Sequence, residues 1–191
     1  RVMREVIQPV MAGMAAEGHR YCGFLYAGLM IDKAGSPRVL EFNCRLGDPE
    51  TQPMMMRLKS DLFDLIEHAV ERRLDAVDAA WDRRAALAVV LAAAGYPDAP
   101  RKGDRIEGLP ASAEDVRVFH AGTTLADGKP LTNGGRVLCV AALGDSIKMA
   151  RVRAYNVVDG IRFAGMQCRR DIGYRAMEAR GGHHAPTNLK P

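Results

Sequence analysis

Long apolar runs are missing from this sequence. No stretch approaches the roughly 18 to 20 consecutive apolar residues of a membrane-spanning helix, and the start, Arg1-Val2-Met3-Arg4-Glu5, lacks the apolar block of a signal peptide. A cytoplasmic location and no membrane partner are therefore expected. Cysteine is sparse: Cys22, Cys44, Cys139 and Cys168 lie far apart with no C-x-x-C pair, which argues against structural zinc and against a disulfide framework. Reduced cysteines packed as small hydrophobes are expected instead. No aromatic-rich RNA-binding signature accompanies the basic residues, and no G-x-x-x-x-G-K-[ST] phosphate loop or internal repeat occurs.

What is present suits a soluble globular protein. Hydrophobic residues make up 48% and charged residues 26% of 191 positions, enough for one generous domain or two small ones. The net charge of +4 is unevenly distributed. Residues 1 to 82 hold 10 Lys and Arg against 13 Asp and Glu, whereas residues 83 to 191 hold 17 against 10. A basic half attracts polyanions, phosphorylated small molecules or an acidic protein surface. Its arginines are scattered rather than aligned on one helix, so nucleic acid is not expected as the partner. The chain opens on Arg1 inside an apolar-periodic segment with no helix-start signal before it, as if cut from something longer.

Val2, Val6, Val10 and Met14 recur at every fourth position and predict an amphipathic helix, kinked at Pro9 and closed by Gly18. Two apolar runs, Cys22 to Ile31 and Val39 to Cys44, flank a turn-forming Asp32-Lys33-Ala34-Gly35-Ser36-Pro37 and predict an antiparallel hairpin. Met54-Met55-Met56 is read as core filler. Ser60 or Asp61 then caps a helix with Leu62, Leu65, Ile66, Ala69, Val70 and Leu74 on one face. From Ala85 the texture turns strand-like, over 85–93, 116–121 and 136–143, punctuated by Gly95-Tyr96-Pro97, Asp127-Gly128 and Asn133-Gly134-Gly135. A helix from Ser146 to about Val158 follows. The expected class is α+β: residues 1–82 as an antiparallel sheet with helices, 83–180 as a small mixed α/β domain, and 181–191 as a flexible tail.

Chemistry concentrates in one segment. Side chains alternate across a strand, so Glu41 and Asn43 share one face, and Leu40, Phe42 and Cys44 the other. A carboxylate beside an amide oxygen is the hard donor pair that Mg²⁺ accepts, with nucleotide phosphates and water completing the shell. Arg45 continues the row if the strand does, and an arginine after metal ligands suits phosphoryl transfer, where the protein neutralises developing charge. A solvated strand face with a Glu-Arg pair accounts for the row equally simply. Immediately afterwards, Gly47-Asp48-Pro49-Glu50-Thr51-Gln52 forms a turn that presents two more carboxylates.

Tyr21 through Gln52, above all Gly23-Phe24-Leu25-Tyr26-Ala27-Gly28-Leu29 and Glu41-Phe42-Asn43-Cys44-Arg45-Leu46-Gly47-Asp48-Pro49-Glu50-Thr51-Gln52, resemble the phosphoribosylamine-glycine ligases of the ATP-grasp superfamily. The likeness continues through Phe119-His120-Ala121-Gly122-Thr123, Thr132-Asn133-Gly134-Gly135-Arg136-Val137-Leu138 and Arg170-Asp171-Ile172-Gly173. It implies the second half of an ATP-grasp domain followed by a carboxy-terminal ligase domain. It also implies ATP-dependent joining of glycine to 5-phosphoribosylamine through glycyl phosphate, in purine biosynthesis. By that resemblance Glu41 and Asn43 hold Mg²⁺ or Mn²⁺, Arg45 faces the transferred group, and Asp48 and Glu50 hold the ribosylamine. Gly134, Gly135 and Arg136 suggest a cradle for the substrate 5′-phosphate, although a hairpin turn with a surface arginine serves as well.

Two departures accompany the likeness. Leu46 stands where an aromatic is expected, and no acid lies between Gly23 and Ile31 to add a metal ligand. The family's amino-terminal domain and first ATP-grasp half are not in the sequence, so this polypeptide alone is expected not to turn over substrate. Another ATP-grasp carboxylate-amine ligase, or a non-catalytic partner domain, remains the alternative. His120 is expected to be a hydrogen-bonded structural residue, lacking a partner for base catalysis.

Overall fold

The computed structural model describes residues 1–111 and 113–178. The expected tail at 181–191 lies outside the described residues. The chain forms two compact units, one of residues 1–51 with 58–81, the other of residues 52–57 with 82 onward. No helix among the described residues is long and apolar enough to cross a membrane.

The first unit begins with a π-helical turn, Met3–Ile7, that runs directly into helix α1, Gln8–Ala16. The helical segment changes pitch at Pro9's turn rather than running as one regular helix. Pro9 is the second residue of α1, and the wider π-helical turn immediately precedes it, where the missing N–H leaves an upstream carbonyl without its helical partner. Gly18 ends the segment at φ +85°, and His19 N–H donates to Met14 O at 2.8 Å across it. Arg1 ties this helix to the hairpin that follows, donating to Glu5, to Gly35 O at 3.0 Å and to Ser36 Oγ at 3.1 Å.

That hairpin is β1, Tyr26–Ile31, paired antiparallel with β2, Pro37–Asn43. Asp32 builds its loop, its Oδ1 accepting from Ala34 N–H at 2.9 Å and Ser36 N–H at 2.8 Å. A register shift between Gly28 and Leu29 puts Glu41 opposite Gly28 and Val39 opposite Leu29, leaving Leu40 bulged. Simple alternation therefore fails at Leu40. It also fails to place Leu40 and Phe42 in a core, because they are 65% and 40% exposed. Helix α2, Thr51–Arg57, carries the methionine run and from residue 52 belongs to the second unit. Helix α3, Leu62–Val70, is capped by Asp61, whose carboxylate accepts from Phe63 N–H at 2.7 Å. Ser60, the other candidate cap, accepts instead from Ala80 N–H at 2.7 Å.

The second unit holds a three-stranded antiparallel sheet of β3, Ala85–Ala92, β4, Val116–His120, and β7, Arg136–Gly144, in the order β3-β7-β4. A separate hairpin joins β5, Thr123–Ala126, to β6, Lys129–Thr132. Its two-residue turn has Asp127 and Gly128 at φ +49° and +71°, the left-handed pair that matches strand twist. These strands escape the sequence reading because each has four residues and β6 contains Pro130, a residue that usually argues against a strand. Helix α4, Ile147–Val158, is capped by Ser146 Oγ, which accepts from Met149 N–H at 3.2 Å, and packs on β3 and β7. Ala150, Ala154 and Val158, at successive i, i+4 positions, are wholly buried against a core that includes Val89, Leu91, Leu138 and Val140. A short helix α5, Tyr174–Glu178, closes the described chain.

The edges of this unit are tied electrostatically. Arg84 grips Asp82 through Nε and Nη2 and reaches Asp115 at 2.5 Å, while Arg153 meets the other Asp115 oxygen at 2.8 Å. The hydrogen bonds it donates to Asp82 and then to Asp115 hold the Arg84 guanidinium above its ordinary range. On α4, Tyr155 Oη donates to Arg169 O at 2.7 Å and accepts from Ile172 N–H at 3.2 Å, and the Arg151 guanidinium stacks 4.9 Å from its ring centre. Partial burial raises the Tyr155 phenol above its usual value.

Leu138→Ala removes a wholly buried side chain from the central strand. It is expected to lower unfolding stability by about 2–5 kcal/mol. Leu125→Ala, at a site 74% exposed, should change it by less than about 0.5 kcal/mol. Urea denaturation of the two variants checks the contrast.

Candidate functional site

The register of β1 on β2 sets the geometry. Tyr26 pairs with Asn43 and Gly28 with Glu41, so these four residues occupy one face of the ribbon. The absent side chain at Gly28 makes room for Glu41: a Cβ there would lie 2.8 Å from Glu41 Cγ and 3.5 Å from Oε1. The Glu41 side chain thus lies across β1 beside the Asn43 position.

The same face continues into the acidic turn. Gly47 is buried, and a Cβ on it would sit 3.0 Å from the Tyr26 ring and collide with the Glu50 carboxylate. Thr51 closes the turn, its N–H donating to Gly47 O at 3.0 Å and its hydroxyl to the same oxygen at 2.5 Å. Glu50 is thereby folded back toward Tyr26, while Asp48, before a cis peptide bond to Pro49, is exposed on the turn. Arg45 departs from the row read from the sequence. The strand ends at Asn43 and the chain bends at Cys44 and Arg45, so period-two alternation stops there. The exposed guanidinium donates to Leu46 O at 3.0 Å and makes no ion pair with Glu41 among the described residues.

Tests of fit for a divalent cation come from this donor set. Glu41 and Asn43 supply two hard oxygens on one face, with no bulk opposite at Gly28. Among the described residues no group of three or more His, Cys, Asp or Glu side chains gathers to hold a metal. The pair fits Mg²⁺ or Mn²⁺ held largely by a nucleotide's phosphates, and does not fit an all-protein cage.

Gly134, Gly135 and Arg136 belong to the second unit. Both glycines have packing reasons to be small. A Cβ on Gly134 would lie 3.0 Å from Gly122 Cα, and one on Gly135 would lie 2.7 Å from Cε2 of Tyr96. Asn133 N–H is committed to Gly122 O at 2.7 Å, and Gly122 N–H to Arg136 O at 2.8 Å. The Asn133-Gly134-Gly135-Arg136 string was the signal available in the sequence, and it was open to two meanings. Arg136, exposed at the head of β7, is the member of the trio whose side chain suits an anion. His120 Nδ1 lies 3.1 Å from Thr123 Oγ1, and with Leu109, Thr124, Leu125 and Pro130 the two line an open hollow of about 500 Å³. No carboxylate lines it to orient the imidazole as a base.

An antiparallel ribbon bearing adjacent carboxylate and amide oxygens, followed by an acidic turn, suits the class of ATP-grasp enzymes. Residues 1–51 match the family model "Phosphoribosylglycinamide synthetase, ATP-grasp (A) domain", and residues 86–175 match "Phosphoribosylglycinamide synthetase, C domain". The chain belongs to the phosphoribosylglycinamide synthetase family. It is 58% identical over 177 residues to a phosphoribosylamine–glycine ligase of Ralstonia nicotianae, covering 93% of this chain and 42% of that protein. It is 56% identical over 183 residues to the Pseudomonas aeruginosa ligase of the same name, covering 95% and 43%. The crystal structure of a Thermotoga maritima phosphoribosylamine–glycine ligase superposes with a TM-score of 0.73 at 40% identity, over 88% of this chain and 41% of that one. The chain thus spans about two fifths of the length of the curated relatives it matches.

Gly122→Ala separates the packing role of the glycines from an anion-binding one. Its Cβ would fall 2.7 Å from Gly134 Cα and 2.9 Å from Arg136 O. The strain is expected to cost about 1–3 kcal/mol of stability, as overpacking does. An unchanged denaturation midpoint would leave the close approach without a structural purpose.

Proposed function

We propose that this chain supplies the metal and amine end of an ATP-dependent carboxylate-amine ligase that joins glycine to 5-phosphoribosylamine, giving glycinamide ribonucleotide, ADP and phosphate in purine biosynthesis. The observation that carries the reading is the shared face of Glu41 and Asn43 running into the Gly47–Thr51 turn, in a chain whose two ends match successive domains of one ligase family.

Glu41 and Asn43 would hold Mg²⁺ or Mn²⁺, which when bound neutralises the phosphates of ATP. Arg45, exposed at the bend, supplies positive charge to the phosphoryl group as it passes to the glycine carboxylate. The glycyl phosphate so formed is a mixed anhydride. The amine of phosphoribosylamine attacks its carbonyl carbon, and phosphate leaves with the bonding pair. Asp48 and Glu50 would accept hydrogen bonds from the ribosylamine; the packing of Glu50 beside Gly47 and Tyr26 supports that reading. Arg136, beside Gly134 and Gly135, is proposed to meet the 5′-phosphate. The nucleotide-gripping portion belongs to the rest of the ligase, so residues 1–82 act as the end of an ATP-grasp domain, residues 83–180 as the carboxy-terminal domain, and the chain alone is inactive. A cytoplasmic setting suits these substrates.

A chimera in which this chain replaces the matching segment of the Ralstonia nicotianae ligase tests the reading. Glu41→Gln in that chimera should abolish Mg²⁺-dependent phosphate release, by at least about 100-fold, with an unchanged melting curve. Full activity would sink the metal assignment. Arg136→Ala should raise KM for phosphoribosylamine about 10-fold or more and leave KM for glycine unchanged; equal effects on both would remove the phosphate role. The 191-residue chain alone, given all three substrates, should release no phosphate.

A further inference from the structure

A tyrosine stands between the Glu41–Asn43 pair and the Gly47–Thr51 turn. On β1 the face shared with Glu41 and Asn43 offers Tyr26 and Gly28, so the phenol is the one functional group that this strand brings to it. Tyr26 lies directly opposite Asn43, and residues so paired have Cβ atoms about 4.5–5.5 Å apart. Its ring then reaches the turn. A Cβ on Gly47 would lie 3.0 Å from Tyr26 Cε2, the ring carbon next to the one bearing the hydroxyl, and 3.0 Å from Glu50 Cδ. The hydroxyl end of the half-buried ring and the Glu50 carboxyl thus flank one point. That hydroxyl is open. Tyr21 donates to Phe24 O at 2.5 Å and Tyr155 both donates and accepts, whereas the Tyr26 hydroxyl has no hydrogen-bond partner among the described residues. A phenol packed into a site usually finds a partner in the fold, and one left open is available to a ligand.

We propose that Tyr26 is a further catalytic residue, whose hydroxyl donates a hydrogen bond to the carbonyl oxygen of the glycyl phosphate. On the ligase reading, on which this role rests, that intermediate has two fixed ends. Its phosphate comes from the nucleotide held over Glu41 and Asn43, and its carbonyl carbon meets the amine at the Asp48–Glu50 turn. The acyl phosphate therefore spans the interval that Tyr26 occupies, and the hydroxyl lies at the turn end, where the carbonyl is. When the amine adds to the carbonyl carbon, the C=O bonding pair moves onto the oxygen. The C–O bond to phosphate then breaks, phosphate leaves with that pair, the carbonyl re-forms, and the amine loses a proton toward the turn. The phenol gives up no proton; a donor already in place stabilises the charge that gathers on the carbonyl oxygen. Residue type fits the task, since a carboxylate here would set negative charge against an anionic intermediate, whereas a phenol brings a donor without a charge.

The Ralstonia nicotianae chimera tests this with two variants. Tyr26→Phe deletes one oxygen and keeps the ring against Gly47, whereas Tyr26→Leu removes the ring. Tyr26→Phe should lower kcat for ligation about 10- to 100-fold, with an unchanged melting curve. KM for ATP, glycine and phosphoribosylamine should each stay within about 3-fold, the mark of an interaction made in the transition state. Binding is read without turnover, using the ketophosphonate analogue of glycyl phosphate in which a methylene replaces the bridging oxygen. In calorimetry with ADP and Mg²⁺, the parent chimera should bind it about 5-fold or more tightly than Tyr26→Phe does, while ATP binds both alike. The proposal is overturned if kcat falls in Tyr26→Leu alone, which marks a packing role, if both proteins bind the analogue equally, or if the parent does not bind it. A parent chimera that binds the analogue through Tyr26 but does not ligate contradicts the proposed function alone. A ligating chimera indifferent to Tyr26→Phe contradicts the role of Tyr26 alone.

Discussion

Strand β7 is hydrogen-bonded on both edges, to β3 through eight paired positions and to β4 through five. From Val137 to Leu143 no side chain is more than 3% exposed. A strand so enclosed has nowhere to shift: a one-residue slip would exchange the faces of Cys139 and Val140 and break both ladders at once. The rest of the second unit is built on that fixed frame. Gly144 ends the strand where a Cβ would sit 3.0 Å from Ala150 Cα, which lets α4 lie close against the sheet. Tyr155 and Arg151, fixed on α4, then anchor the segment from Arg169 to Ile172. Arg136 inherits its position as the first residue of the same strand.

The first unit lacks such a frame, yet it carries the residues with the clearest chemistry. Glu41, Asn43 and Glu50 owe their arrangement to a two-strand register and to two glycines, Gly28 and Gly47, whose missing side chains leave room for carboxylates. Those are local devices. They orient donors without supplying the apolar burial that offsets the entropy of ordering the chain. Functional precision and structural dependence therefore meet in the same ribbon, and the exposure of Leu40 and Phe42 follows from the same shortage of strands.

Much of this was legible in the sequence because the signals were local and strong. Apolar spacing placed α3 and α4, Ser60 or Asp61 marked the cap of the first and Ser146 the start of the second, and the long apolar run at 136–143 marked the strand that proved central. The ribbon, its turn and the Glu41–Asn43 pair followed from period-two patterning and from family likeness. What failed had nonlocal causes. Alternation could not foresee the bulge at Leu40, which arises from pairing with a particular partner strand, nor the bend that takes Arg45 off the row. Leu40 and Phe42 read as core because composition says what a side chain prefers, not whether a neighbour is there to cover it. The glycines at 134 and 135 carried two readings, an anion cradle and a hairpin turn, because their packing partners, Gly122 and Tyr96, are remote in sequence.

Hydrogen exchange on the 191-residue chain alone tests most directly the claim that one unit is self-supporting and the other is not. Amides of β3 and β7 should be protected to the level of global unfolding, while those of β1 and β2 exchange within a factor of about ten of unstructured rates. Equal protection of both sheets in a monomeric chain would contradict the account.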